Sequence, residues 1–425
     1  MWCPGCKKFD VITAFLFFIN SNLVFASSDM PLSLQEAEKL AIERDAKLSE
    51  IRLKSEALQE GSVAAGTLPD PKLKLGLMNF PTDTFERDQE PMTQIQLGVV
   101  QMFPSGDTLQ LNSDRMIDKA KGESARAAAQ QRNVIQQIRM SWLDVYYWQH
   151  AADVVGKNRK LFKQLVNVTE SLYAVGRRKQ QDVLRAELEL GLLDDRETQV
   201  TTMVEMTRAN LVKLIGQQDA YRPLTTPFPT LPDIPIPEIS QERLAQHPLL
   251  EFEQALVDAS QKEVAIAREA YKPSWLLDVT YGFRDGYNPN GTERSDFLSA
   301  MVMLDMPLFT GKRQDRNLSA NRLKHQASLY AREDRVRELN KAWEVNNAEW
   351  LRLGERVRLF ETSLLAKARE NSKASLHAYQ NDQGDFSSLM RARIMEFETE
   401  LKALRMRVDY AISQAKLLYL VGDDK

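Results

Sequence analysis

Between residues 314 and 379 the chain has no proline, and Val336, Leu339, Trp343, Asn346, Trp350, Leu353, Val357, Phe360 and Leu364 recur at alternating steps of three and four. That is the roughly 3.5-residue period of helices that supercoil on a partner, with Asn346 as the one polar member. The spacing predicts a rod about 100 Å long at about 1.5 Å per residue, too long to be buried in one compact domain. A second rod of equal length is predicted from Leu109 to Tyr173, with a looser seam through Val134, Ile138, Trp142, Val145 and Trp148, then Ala152 and Val155.

Elsewhere the period drops to two. Leu73, Leu75 and Leu77 alternate with Lys72, Lys74 and Gly76; past a polar loop from Pro81 to Pro91, Ile95, Leu97, Val99 and Phe103 alternate with Gln94, Gln96 and Gly98. These read as two strands of roughly ten residues joined as a hairpin. Trp275, Leu277, Val279, Tyr281 and Phe283 alternate with Asp278, Thr280, Gly282 and Arg284, and Phe297 to Met306 completes a second hairpin whose facing the pattern leaves open.

Helical spacing resumes from Leu34 to Ala65, with Ser33 as N-cap, and from Gln180 to Ile215. The punctuation repeats. Leu48 answers to Leu250, Pro71 to Pro273, Gly106 to Gly311, Gly176 to Gly384 and Gly216 to Gly422, at offsets between 202 and 208. The chain therefore divides into a first repeat (residues 33–221), a linker (222–239) holding six of the seventeen prolines, and a second repeat (240–422). The expected fold class is mainly α with a small membrane β part.

Lys7 and Lys8 precede a short apolar run from Val11 to Ile19, and Val24-Phe25-Ala26 offers small residues for cleavage before Ser27, so residues 1–26 read as a secretory signal. Both cysteines, Cys3 and Cys6, lie in that stretch, which excludes a disulfide framework, a cysteine metal site and acylation of a mature N-terminal cysteine. The formal charge is -3, or -4 with 54 basic against 58 acidic residues once 1–26 are removed, which argues against a nucleic-acid partner. No Gly-rich phosphate loop, zinc-spaced histidine pair or nucleophile elbow is present, so neither enzyme chemistry nor a cofactor is expected.

Four amphipathic strands in an exported chain suit a tilted membrane barrel, but four are too few to close one, and an open edge in hydrocarbon is costly. Further copies must complete both the sheet and the ring of helices. At this point Leu68-Pro69-Asp70-Pro71-Lys72-Leu73, Asn79-Phe80-Pro81, Met92-Thr93 and Gln101-Met102-Phe103-Pro104 carry a resemblance to the TolC-type outer-membrane efflux proteins, in particular their heavy-metal (cobalt-zinc-cadmium and copper-silver) branch. The resemblance extends from about Leu34 to Gly422. It implies a homotrimer with a twelve-stranded outer-membrane barrel and a periplasmic α-barrel, docked on a periplasmic adaptor and an inner-membrane resistance-nodulation-division pump.

Val175-Gly176-Arg177 resembles the family's helix-tip motif, which faces the adaptor; the second tip, around Gly384, departs from it. Arg177, Arg178 and Lys179 make one tip basic, while Asp382 and Asp385 make the other acidic. The arginines are candidates to pair with Asp382 or Asp385 as a latch on the periplasmic mouth, and the carboxylates are alternatively a ring that gathers cations. His150, His247, His325 and His377 are scattered and read as packing or surface residues; Met301, Met303 and Met306, though soft-metal donors, read as apolar packing on a membrane strand. Trp142, Trp148, Trp343 and Trp350 fall on the seams and read as core. The function expected is a passive exit duct for heavy-metal cations. A duct for drugs or a type I secreted protein, and a poreless periplasmic coiled-coil scaffold, are the alternatives.

Overall fold

The computed structural model describes residues 30–235 and 237–423; the stretch 1–26 expected to be a secretory signal, with both cysteines, lies outside them. Helices α1 (Leu34–Arg44) and α2 (Ala46–Gly66) lead to strands β1 (Lys72–Met78) and β2 (Gln94–Phe103), then to the long α3 (Thr108–Ala174), the returning α4 (Gln180–Ile215) and the short α5 (Gln217–Ala220). The second half runs through α6 (Pro237–Ala245), α7 (Pro248–Glu269), β3 (Ser274–Phe283), β4 (Phe297–Asp305), α8 (Gln314–Leu359), a π-helical turn (Phe360–Leu364), α9 (Leu365–Gln380) and α10 (Phe386–Val421). The predicted rods are α3 and the run from α8 to α9, each beginning and ending at an offset of 206 residues. The one departure is that the second rod loosens into the π turn.

All four strands form one antiparallel sheet in the order β1-β2-β3-β4. The two repeats meet where Val99 faces Val279 and Leu97 faces Tyr281. The sheet is open. β1, at seven residues shorter than its sequence pattern suggests, and β4 are left as unpaired edges. Residues directly opposite in an antiparallel ladder project to the same side, so register fixes the two faces. One carries Leu73, Val99, Val279 and Ala300 in one row and Leu75, Leu97, Tyr281 and Leu298 in the next. This apolar face is exposed, with Leu75 at 74%. Phe103 and Trp275 stack at 3.9 Å at its helix-side end. The opposite face holds Gln96, Gly98, Asp278 and Thr280, all buried within the curve of the sheet. There the Lys74 ammonium donates to Asp278 at 2.8 Å, and the Thr280 hydroxyl donates to the same carboxylate at 2.6 Å. A charged pair on one side and an unbroken apolar side on the other are what a strand between water and lipid requires.

The seams lie where the sequence puts them. Val134, Ile138, Trp142 and Val145 are fully buried between α1, α3, α4 and α10, while Leu339, Trp343 and Leu353 of α8 are buried, Leu339 and Trp343 in a core shared with α10. Trp350 stacks on Tyr410 of α10 at 5.7 Å, and a side chain at Gly354 would come within 3.0 Å of that tyrosine ring, so the close approach of α8 to α10 needs glycine. The rest of the second seam, Val336, Asn346, Trp350, Val357, Phe360 and Leu364, is only half-buried within the chain.

The proline-rich linker is irregular but tied down. Leu32 bridges Leu224, Tyr146 donates to the Thr226 carbonyl at 3.2 Å, and Gln414 donates to that of Pro232 at 2.7 Å, giving non-helical backbone the partners it must have when covered. Arg139, 3% exposed, reaches Glu38 of α1 at 2.7 Å and Asp423 beyond α10 at 2.6 Å.

Candidate functional site: the paired helix tips

At the end of the rods farthest from the sheet, two helical hairpins turn within one chain. Gly176 (φ +72°) donates its N–H to the Tyr173 carbonyl at 2.9 Å, and Arg177 donates to Leu172 at 2.9 Å. Asp382 (φ +58°) donates to Tyr379 at 3.3 Å, and Gln383 to Ala378 at 2.8 Å. The bonding is the same, so the structural counterpart of Gly176 is Asp382, at the offset of 206 that also relates Gly216 to Gly422 and the two N-caps, Lys179 and Asp385. Gly384, matched to Gly176 by sequence punctuation, is not the left-handed residue. Its place is explained by crowding instead, since a side chain there would meet Ala378 at 3.1 Å.

The tips are joined by charge. Arg178 donates to Asp382 at 2.8 Å and to the Tyr379 carbonyl at 3.0 Å, and its guanidinium lies 4.3 Å from the centre of the Tyr379 ring. Arg177 reaches the same carboxylate at 3.5 Å and is far more exposed. Asp385 is occupied differently. Its carboxylate accepts from the Ser388 N–H and hydroxyl, both at 2.8 Å, capping α10, and those bonds hold it below the usual carboxylate range. Val175 is 67% exposed beside this cluster, an apolar side chain in water at the turn.

Tyr379 was not singled out in the sequence, although it is 2% exposed and edge-on to Phe386 at 5.7 Å. An aromatic one helical turn before an exposed tip is the signal that could have found it. Burial pushes its phenol up.

The histidines do not converge. His150 stacks on Tyr146, His325 meets the Ser260 hydroxyl at 2.9 Å, and His377 is exposed. Among the described residues no group of three or more His, Cys, Asp or Glu side chains could hold a metal ion, and no helix is long and apolar enough to cross a membrane. His247 is fully buried as N-cap of α7, its Nδ1 accepting from the Leu249 N–H at 3.1 Å. Burial and the nearby Arg132 lower it to about 4. Below about pH 6.5 the unfolded chain takes up a proton that the folded chain refuses, so this group costs about 1.4 kcal/mol of stability per pH unit down to about pH 4. His247→Asn, which keeps a capping side chain, should flatten the fall of the helix-melting temperature between those pH values; an unchanged slope would show that other groups set it.

Residues 239–423 match the family model described as outer membrane efflux protein. Over those residues, somewhat under half of its length, the chain is similar to the outer membrane efflux proteins. Members of this family are channels, not enzymes. No curated protein matches the sequence. The fold of the whole chain, first half included, is that of solved outer-membrane channels. It is similar to the MtrE outer membrane channel of Neisseria gonorrhoeae in its open state (TM-score 0.76, 17% identity, 99% of this chain and 97% of that one). It is also similar to the CmeC outer membrane channel of Campylobacter jejuni (0.77, 13%, 92% and 85%) and to CusC, whose structures are described in terms of folding and transmembrane channel formation (0.77, 15%, 92% and 92%).

Proposed function

We propose that this chain is a passive exit duct for heavy-metal cations, working as a homotrimer that an inner-membrane resistance-nodulation-division pump drives through a periplasmic adaptor. The observation that carries the duct reading is the open sheet: four amphipathic strands with both edges unpaired, standing on helices about 100 Å long. Hydrocarbon offers no partner for a bare strand edge, so β4 of one copy pairs with β1 of the next, and three copies supply twelve strands around a water-filled lumen. The metal reading is supported by the resemblance around Leu68–Leu73 and Gln101–Pro104 to the heavy-metal branch. A poreless scaffold has no use for an outward row of Leu73, Leu75 and Leu77.

Val175, Gly176, Arg177 and Gly384 form the face on which an adaptor docks, because a hairpin tip exposes its turn and small residues admit a second backbone. Asp382, shared by Arg177 and Arg178, is the latch that holds the mouth narrow; Asp385 supports it by fixing the start of α10. Single-channel conductance of Asp382→Ala should rise, with a smaller rise for Asp385→Ala, and unchanged conductance in both would eliminate the latch. Such exposed pairs contribute about 0–1 kcal/mol each, so folding should be unaffected.

A deletion strain complemented with the wild-type chain tests the whole reading. Zinc, cobalt, cadmium, copper or silver tolerance should return, and the protein should fractionate with the outer membrane as a heat-modifiable trimer. A chain that leaves every metal tolerance unchanged would refute the substrate class, and a soluble periplasmic species would refute the duct.

A further inference from the structure

The facing of β4, open in the sequence, follows from its register. Met301 lies opposite Asp278, and Met303 lies opposite Leu276, which in turn lies opposite Met102 on β2. Opposed residues share a face, so all three methionines stand on the side of Asp278 and Lys74. They belong to no buried core: Met102, Met301 and Met303 are 49%, 48% and 54% exposed. Leu298, Ala300, Val302 and Leu304 meanwhile provide β4 with its lipid-facing side. Neither lipid contact nor core packing therefore accounts for three large thioethers on the water-facing side of the sheet, among Gln96, Thr280 and Ser299.

Their spacing is that of donors able to meet. Met301 and Met303 stand about 6.7 Å apart along one strand, and Met102 stands two strands away, about 10 Å, with Leu276 between. A methionine side chain has three rotatable bonds and no branch, so the sulfurs can converge above Leu276. We propose that Met102, Met301 and Met303 form a thioether collar at the helix-side end of the lumen, which briefly coordinates a soft monovalent cation, Cu(I) or Ag(I), as it leaves. This rests on the heavy-metal reading and narrows it. Neutral thioethers select Cu(I)-like ions over Zn(II) or Co(II), which favour imidazole or carboxylate. The nearby Asp278 is already paired with Lys74, so its carboxylate does not compete with the thioethers for the ion. Weak multi-site binding of this kind is what conduction needs.

The test is a titration of the detergent-solubilised full chain with silver nitrate in chloride-free buffer, followed by calorimetry. Wild type should bind Ag(I) saturably and retain it against excess Zn(II). The triple variant Met102→Leu, Met301→Leu, Met303→Leu keeps side-chain volume and should lose about tenfold or more in affinity. Met306→Leu, outside the strand, should bind as wild type. If the triple variant fails to migrate as a heat-modifiable oligomer, Met303→Leu alone replaces it and should still weaken binding. Unweakened binding in the folded variant, no binding by wild type, or displacement by Zn(II) would overturn the collar. Metal tolerance separates the two claims: a wild-type chain that restores silver tolerance while the triple variant binds silver equally well sinks the collar and leaves the metal duct standing. A wild-type chain that restores no metal tolerance sinks the duct's substrate class itself.

Discussion

Arg139→Ala should lower the stability of the folded chain by about 3–5 kcal/mol, read as the midpoint of helix unfolding in urea or on heating. The size follows from what remains behind. Arg139 is the buried meeting point of Glu38 on α1 and Asp423 after α10, two acids that are themselves mostly covered. Removing the guanidinium leaves two carboxylates facing a low-dielectric gap with their counter-charge gone. Arg139→Met restores most of the volume and none of the charge, so it should cost nearly as much; a loss below about 1 kcal/mol would mean that solvent already reaches the pair. Because the contact ties the first helix to the last, the defect should appear as loosening of the region around the linker before the rods melt.

Val99→Arg should remove the protein from the outer membrane. Val99 lies in the central row of the apolar face, between Leu73 and Val279, and an arginine at the midplane of a membrane barrel costs about 2–4 kcal/mol per copy. The penalty recurs in every copy that completes the barrel. Ser299→Arg is the matched control, one position from that row but on the side of Thr280, where water is available. The pair is read by fractionation and by heat-modifiable migration. Equal assembly of both variants would mean that the two faces of the sheet have been assigned wrongly.

How much of this could be seen in the sequence depends on how local the cause is. The rods, the seams and the strand alternation on β1, β2 and β3 are set by residues near one another along the chain, and the structure has them within a few residues of where the periods place them. β4 is different. Leu298, Ala300, Val302 and Leu304 alternate with Phe297, Ser299, Met301 and Met303, both sets largely apolar, so only pairing with β3 decides which side each set takes. The tips show a second limit. Glycine punctuation drew Gly384 into register with Gly176, whereas backbone hydrogen bonds put Asp382 there, an aspartate being one of the few side chains that tolerates the left-handed conformation. The anchoring of Arg178 by Tyr379 requires the two hairpin turns to meet, so the aromatic one turn before the tip marks the place in the sequence but not its partner.

The widened turn at Phe360–Leu364 has no equivalent in α3, although the two rods begin and end in step. A wider turn advances less per residue, so one hairpin of each chain is fractionally shorter and its outer half is rotated relative to its twin. However closely the duplicated halves imitate one another in length, a tube assembled from them alternates long and short staves.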